Sequence, residues 1–175
     1  MRLLARHKGC SLSDAVELRH IADPLRAVLA ALFAMVIARF AAAAFAIVLD
    51  QLHVGLQGQN LDPTKVLPQG SLGMAVTIAL VCVLAPIAEE VVFRGVVLSA
   101  LWTRWGAGVG VVGSAAVFAA MHVSLYACVP IGFFGLILAW LYVKTENLAV
   151  PIFAHALFNS VGLIGLYALK AGGAL

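Results

Sequence analysis

Residues 25–49 are almost wholly apolar, and four further stretches of the same character follow before the C-terminus. At about 1.5 Å per helical residue the first alone can cross a hydrocarbon core of about 30 Å. Composition agrees: of 175 residues 63% are hydrophobic and only 11% charged, with a mean hydropathy of +1.06. Soluble domains carry roughly 45–50% apolar and about 25% charged residues. A water-soluble fold of this size needs more polar surface than that, and a chain this apolar does not stay disordered. The sequence therefore predicts an all-α polytopic transmembrane bundle. A single domain covers residues 24–170, behind a basic segment at 1–23 that has room for a short interfacial helix around residues 13–20. A cleaved signal peptide fits less well, because its apolar core would be about 7–15 residues.

Asp23-Pro24 reads as a helix cap followed by proline at the first helical position. The loop at 50–70 is rich in Gln, Gly, Asn and Pro. Residues 71–102 form a second apolar stretch, too long for one straight span and predicted to break near Pro86, where the missing N–H removes a helical bond. Glu89 would then sit near the start of a renewed turn, favourable for a carboxylate. Three more spans are expected over 108–124, 126–143 and 148–169, about five in all. Gly106 and Gly110, with Ser114 one turn on, should let the third helix approach a neighbour closely. Starting inside, the cytoplasmic side holds Arg2, Arg6, Lys8, Arg19, Arg26, Arg104 and Lys144, and the outside only Lys65 and Lys170. That bias predicts a cytoplasmic N-terminus and an external C-terminus.

Nucleic-acid binding would need a basic stripe with interleaved aromatics, which is absent. Cys10, Cys82 and Cys128 lack CxxC or zinc spacing and read as small hydrophobes. The informative residues are those that are expensive in lipid: Arg39, Glu89, Glu90, Arg94, His122, His155 and Asn159. A central charge costs about 2.5–3.5 kcal/mol on insertion scales, so each needs a reason. Glu90 and Arg94 are four apart with the glutamate first, the favourable order for an ion pair. Glu89 lies about 100° around the helix from Glu90 and must face something else. His155 and Asn159 share a face four residues apart, and His122 closes the third span one turn after Phe118. Arg39 is expected to snorkel or to cap a neighbouring carbonyl.

Taken singly, most of these groups are explained by hydrogen bonds between helices. Together, an unpaired glutamate, two histidines and an asparagine on three apolar spans suit chemistry better than packing. A carboxylate and an imidazole can deprotonate a water, and an asparagine N–H can donate to an oxyanion, which are the parts for hydrolysing an amide. Two His and one Glu also make a plausible zinc set, although the HExxH spacing is missing and a metal-free site is favoured. No serine or cysteine has an evident base partner.

Glu89-Glu90-Val91-Val92-Phe93-Arg94 resembles the EExxxR motif of the CPBP family, the CAAX protease and bacteriocin-processing intramembrane proteases. Phe118 to His122 is similar to its FxxxH motif and His155 to Asn159 to its HxxxN motif, in the family's order and each inside an apolar span. The resemblance covers roughly residues 71–166 and implies a glutamate-dependent, metal-free intramembrane endopeptidase; its eukaryotic members remove the last three residues of prenylated CAAX proteins. It implies that Glu89 and His122 activate the water and that His155 and Asn159 bind it or the oxyanion. Glu90 and Arg94 would orient the site. Larger members have about eight spans where this chain has about five. The expected substrate is a peptide or protein tail, with or without a lipid anchor, met in what the small size suggests is a bacterial cell membrane. The rival readings are a non-proteolytic scaffold or bacteriocin-immunity protein of the same fold, and a proton-coupled carrier, which the lack of an internal repeat disfavours.

Overall fold

A computed structural model of the chain describes residues 24–53, 67–68, 70–122 and 125–172. The basic segment 1–23, with the interfacial helix expected there, lies outside the described residues, as do Cys10 and most of the 50–70 loop. Among the described residues all regular structure is helical: α1 Pro24–Gln51, α2 Gly70–Trp105, α3 Ala107–Ala120, α4 Leu125–Thr145 and α5 Ala149–Ala171. Four of the five (α1, α2, α4 and α5) contain a stretch long and apolar enough to cross a membrane. The large side chains Phe33, Phe40, Leu72, Val112, Trp140 and Ile164 point outward, whereas Glu90, Arg94, Ser114, Asn147 and His155 are buried. That inside-out distribution is what a lipid solvent selects, and the chain is an integral membrane protein.

The break in α2 takes a specific form. The helix does not stop at Pro86; it runs on for 36 residues and widens twice, into π-helical turns at Ala79–Leu84 and Val91–Leu98. A π turn bonds each N–H five residues back instead of four, which makes room where proline would clash with the preceding turn. Because the helix is continuous there is no fresh N-terminus beneath Glu89. The Val91 N–H still bonds Ile87 and Ala88, and the expected dipole contribution to Glu89 is absent.

α3 is shorter than the sequence suggests. Its 14 residues span about 21 Å, less than the hydrocarbon thickness, and it ends at Ala120 instead of near residue 124. The cause is His122 itself: its Nδ1 lies 2.8 Å from the Phe118 carbonyl, the acceptor its own N–H would use in a continuing helix. That N–H turns instead to Ala119, a tighter bond three residues back.

Small residues set the spacing. Ala31, Ala34 and Ala38 form a buried stripe on α1 that packs against α4 and α5. A Cβ added at Gly110 would lie 2.8 Å from that of Trp102, so the α3 glycine meets α2 across the turn at Gly106, whose φ of 89° requires glycine. At Gly135 a Cβ would fall 3.3 Å from Ala115 Cα and 3.1 Å from the Phe118 ring, which puts α4 hard against α3. Asn147 Oδ1 accepts the Ala149 N–H at 2.8 Å and so helps start α5. Arg39 crosses from α1 to α5, donates from Nη2 to the Phe158 carbonyl and lays its guanidinium 3.9 Å over the Phe158 ring. It caps a carbonyl, one of the two roles expected of it. Cys82 is buried and Cys128 half-buried, both as free thiols.

Candidate active site in the membrane interior

Glu89 and Glu90 lie between the two π turns of α2. Glu90 points into the bundle, fully buried, and its Oε2 sits 3.0 Å from Nε of the equally buried Arg94 one turn on. The contact is an ion pair without hydrogen-bond alignment; Arg94 uses Nη2 to donate to the Gly135 carbonyl at 3.1 Å. Its guanidinium also lies 4.7 Å above the Phe118 ring. The pairing read from the i, i+4 spacing is present, and α4 and α3 complete it.

His155 from α5 enters the same cluster. Its Nδ1 is 2.9 Å from Glu90 Oε1, and its Nε2 is 3.7 Å from Glu89 Oε2. One imidazole therefore stands between the two adjacent glutamates. Phe118 and Phe134 close edge-on against it, with ring centroids 5.7 and 5.4 Å away. His155 is 5% exposed and Glu89 31%, so the Glu89 side of the ring is the less buried one.

The hydrogen positions follow from the partners. A carboxylate can only accept, so Nδ1 of a neutral His155 carries the proton toward Glu90 and leaves the Nε2 lone pair facing Glu89. Nε2 and Glu89 Oε2 are then two acceptors 3.7 Å apart, too far for a direct hydrogen bond, and Oε2 has no hydrogen-bond partner among the described residues. Both acceptors are within reach of a single water at about 2.8 Å from each, donating one proton to either side. The arrangement suits a molecule with two protons to give and a lone pair pointing away.

The other two site residues lie differently from the expectation. His122 is exposed, held by its Phe118 bond and edge-on to that ring at 4.8 Å. The carbonyl accepts, so Nδ1 is the protonated nitrogen and Nε2 is left as the basic one. The imidazole beside Glu89 is thus that of His155, whereas His122 reaches the cluster through Phe118. Asn159 donates one of the two N–H groups of Nδ2 to the Val81 carbonyl of α2 at 2.9 Å, so part of the donor expected for an oxyanion is engaged with backbone. Sequence reasoning also passed over Phe118 and Gly135. Phe118 touches Arg94, His122 and His155, and only its place one turn before His122 hinted at this. The Gly135 carbonyl left no signal in the sequence.

A zinc site fits these residues poorly. Among the described residues no three His, Cys, Asp or Glu side chains converge as metal ligands do. Nδ1 of His155 is taken by Glu90, which leaves one imidazole nitrogen and one carboxylate where zinc takes at least three protein donors.

Over 107 residues the chain is 26% identical to YdiL of Bacillus subtilis (strain 168), a protein named as a candidate membrane peptidase. The shared part is 61% of this chain and 44% of that relative, so the chain spans less than half of the relative's length. No solved structure matches the chain. A family model described as "Type II CAAX prenyl endopeptidase Rce1-like" matches residues 71–161, from the start of α2 through Asn159 in α5. That stretch is just over half of the chain and includes every residue of the Glu89–Glu90–Arg94–His155 cluster, and the protein belongs to the type II CAAX prenyl endopeptidase Rce1-like family.

Proposed function

We propose that this protein is an intramembrane endopeptidase that hydrolyses a peptide bond with a water activated by glutamate and histidine. The observation that carries this reading is the imidazole of His155 standing 2.9 Å from Glu90 and 3.7 Å from Glu89. Glu90 orients the ring, much as a buried carboxylate fixes the tautomer of a catalytic histidine. Glu89 takes a proton as the water oxygen bonds to the scissile carbonyl carbon. When the carbon–nitrogen bond breaks, that proton passes to the leaving amine. His122, with Nε2 as its basic nitrogen, is the second base of the scheme at the mouth of the cluster. Its exposure suits exchange of protons with solvent or substrate. Arg94, 3.0 Å from Glu90 and equally buried, balances the carboxylate's charge inside the bundle.

The substrate is a peptide or protein tail that reaches the cluster from within the bilayer, with or without a lipid anchor. Mass spectrometry of peptides incubated with the purified protein in detergent or nanodiscs tests this. Defined cleavage products are expected, and their absence across a broad library overturns the reading. The scheme needs no metal, since the two acceptors hold the water between them. Cleavage should persist after exhaustive chelation. If chelation abolishes it and stoichiometric zinc restores it, Glu89, His122 and His155 are ligands instead.

The cationic bias supports an N-terminus on the cytoplasmic side of what we take to be a bacterial cell membrane. If α3 crosses along with the four longer helices, despite its 14 residues, a reporter fused after Leu175 should be active outside the cytoplasm, and one inserted near Arg104 should be active inside. Reversed signals overturn that orientation.

A further inference from the structure

Arg39 stands near the middle of α1, and a guanidinium at that depth is expensive. Among the described residues no carboxylate pairs with it. Packing α1 on α5 alone would need only an apolar side chain, at a lower cost. What Arg39 engages is Phe158, by its carbonyl and its ring together. Gly162, one turn on, leaves the room: a Cβ there would lie 2.7 Å from Nη2. The Phe158 ring is also stacked on Phe134 of α4, with centroids 4.1 Å apart and planes 21° from parallel. Two groups that each sit about 4 Å from one ring centroid cannot share a face, so the guanidinium and Phe134 hold Phe158 between them. Phe134 in turn stands edge-on to His155 at 5.4 Å. A chain of contacts thus runs from α1 through α5 and α4 to the imidazole between the two glutamates.

We infer that Arg39 is a positioning residue that clamps the Phe158–Phe134 stack and through it fixes the orientation of His155. The inference rests on the hydrolytic reading of the cluster, and it reaches beyond the family-matched stretch, 71–161, to a residue of α1. Glu90 holds His155 at Nδ1 alone, which leaves the imidazole able to rock about that bond. The edge contacts of Phe118 and Phe134 restrain the rocking. Phe118 lies under the guanidinium of Arg94, so its ring is backed by a cation directly. Phe134 is backed by Phe158, and Phe158 by Arg39. Both phenyl rings that touch the imidazole therefore rest on an arginine, one at first hand and one through a stacked ring. The planar guanidinium suits this task, because it stacks on a ring face and donates in its own plane at once. Without it, Phe158 and Phe134 can turn, and the 3.7 Å gap between His155 Nε2 and Glu89, which the hydrolytic reading fills with the reacting water, is no longer held to one geometry.

The test is a double-variant cycle. Arg39→Met keeps an unbranched side chain and removes the guanidinium. Its kcat per folded molecule should fall at least about tenfold, where a misplacement near 1 Å can cost about 10²-fold, while KM stays unchanged. The melting temperature should hold or rise, because a charge without a carboxylate partner has left the membrane interior. Phe158→Leu keeps the carbonyl that Arg39 binds but removes the ring, and should lower kcat by a similar factor. The double variant should have the kcat of Phe158→Leu alone, since both changes act through one stack. Wild-type kcat in either single variant overturns the proposal, as do losses that multiply in the double variant. An Arg39→Met chain that no longer folds makes the arginine a scaffold residue and overturns it equally. The same variants are read without catalysis by NMR of protein carrying isotope-labelled histidine, because the edge of Phe134 shifts the His155 ring signals. Those signals, assigned with His155→Gln, should move in both single variants. Should the unmodified protein cleave no peptide, the hydrolytic reading fails, and the NMR comparison still decides whether Arg39 acts on His155. Unmoved His155 signals overturn the clamp.

Discussion

Glu89→Gln should lower turnover by about 10²–10⁴-fold while leaving yield and melting temperature nearly unchanged. General base catalysis contributes a factor of that size, and glutamine keeps the volume and polarity of the side chain while removing the base. The structure explains why stability should be spared. Glu89 makes no ion pair with Arg94, is partly exposed, and faces His155 across 3.7 Å instead of holding it. Turnover is measured per folded molecule, with thermal melts of the same preparations. Wild-type turnover from Glu89→Gln would show that its carboxylate is not the base.

Its neighbour should behave in the opposite way. Glu90 is fully buried and holds two partners, Arg94 at 3.0 Å and His155 at 2.9 Å. Glu90→Gln strands a buried guanidinium, and breaking a buried ion pair costs roughly 3–5 kcal/mol. A lower yield of folded protein and a clearly lower melting temperature are expected. Turnover should fall as well, because the acceptor-only carboxylate beside His155 Nδ1 becomes a neutral amide that can present its oxygen or its NH2 and no longer fixes the tautomer. Adding Arg94→Gln removes the stranded charge and should recover part of the stability, although the Gly135 carbonyl loses its donor. Turnover should not recover with it, since the carboxylate beside His155 is still gone. If the double variant is no more stable than Glu90→Gln alone, the ion pair is not what holds Glu90 in place.

The contrast between two adjacent glutamates is the part of the site most legible in the sequence. Helical periodicity alone separates Glu89 from Glu90 by about 100°, and the four-residue spacing joins Glu90 to Arg94. The membrane class and the helical bundle were legible for a similar reason. Hydropathy acts residue by residue along a segment, and in lipid a segment must satisfy its own backbone. The motif spacings of His122 and His155 marked them as site residues, yet they could not say which histidine meets which glutamate. That is a relation between helices far apart in sequence, set by where small residues such as Gly135 and Ala34 let them approach.

The chain by itself determined an all-helical membrane protein, the residues too costly to be incidental, and the pairing of Glu90 with Arg94. Only the tertiary structure decided that α2 widens at Pro86 instead of stopping, that α3 ends where the ring of His122 takes the Phe118 carbonyl, and that one N–H of Asn159 meets the Val81 carbonyl. It also decided that His155, and not His122, stands between the glutamates. The physical reason is common to all four. Polar groups in a bilayer must find partners inside the protein, and local periodicity says which face of a helix a group occupies. What waits on that face is decided by the crossing of two helices.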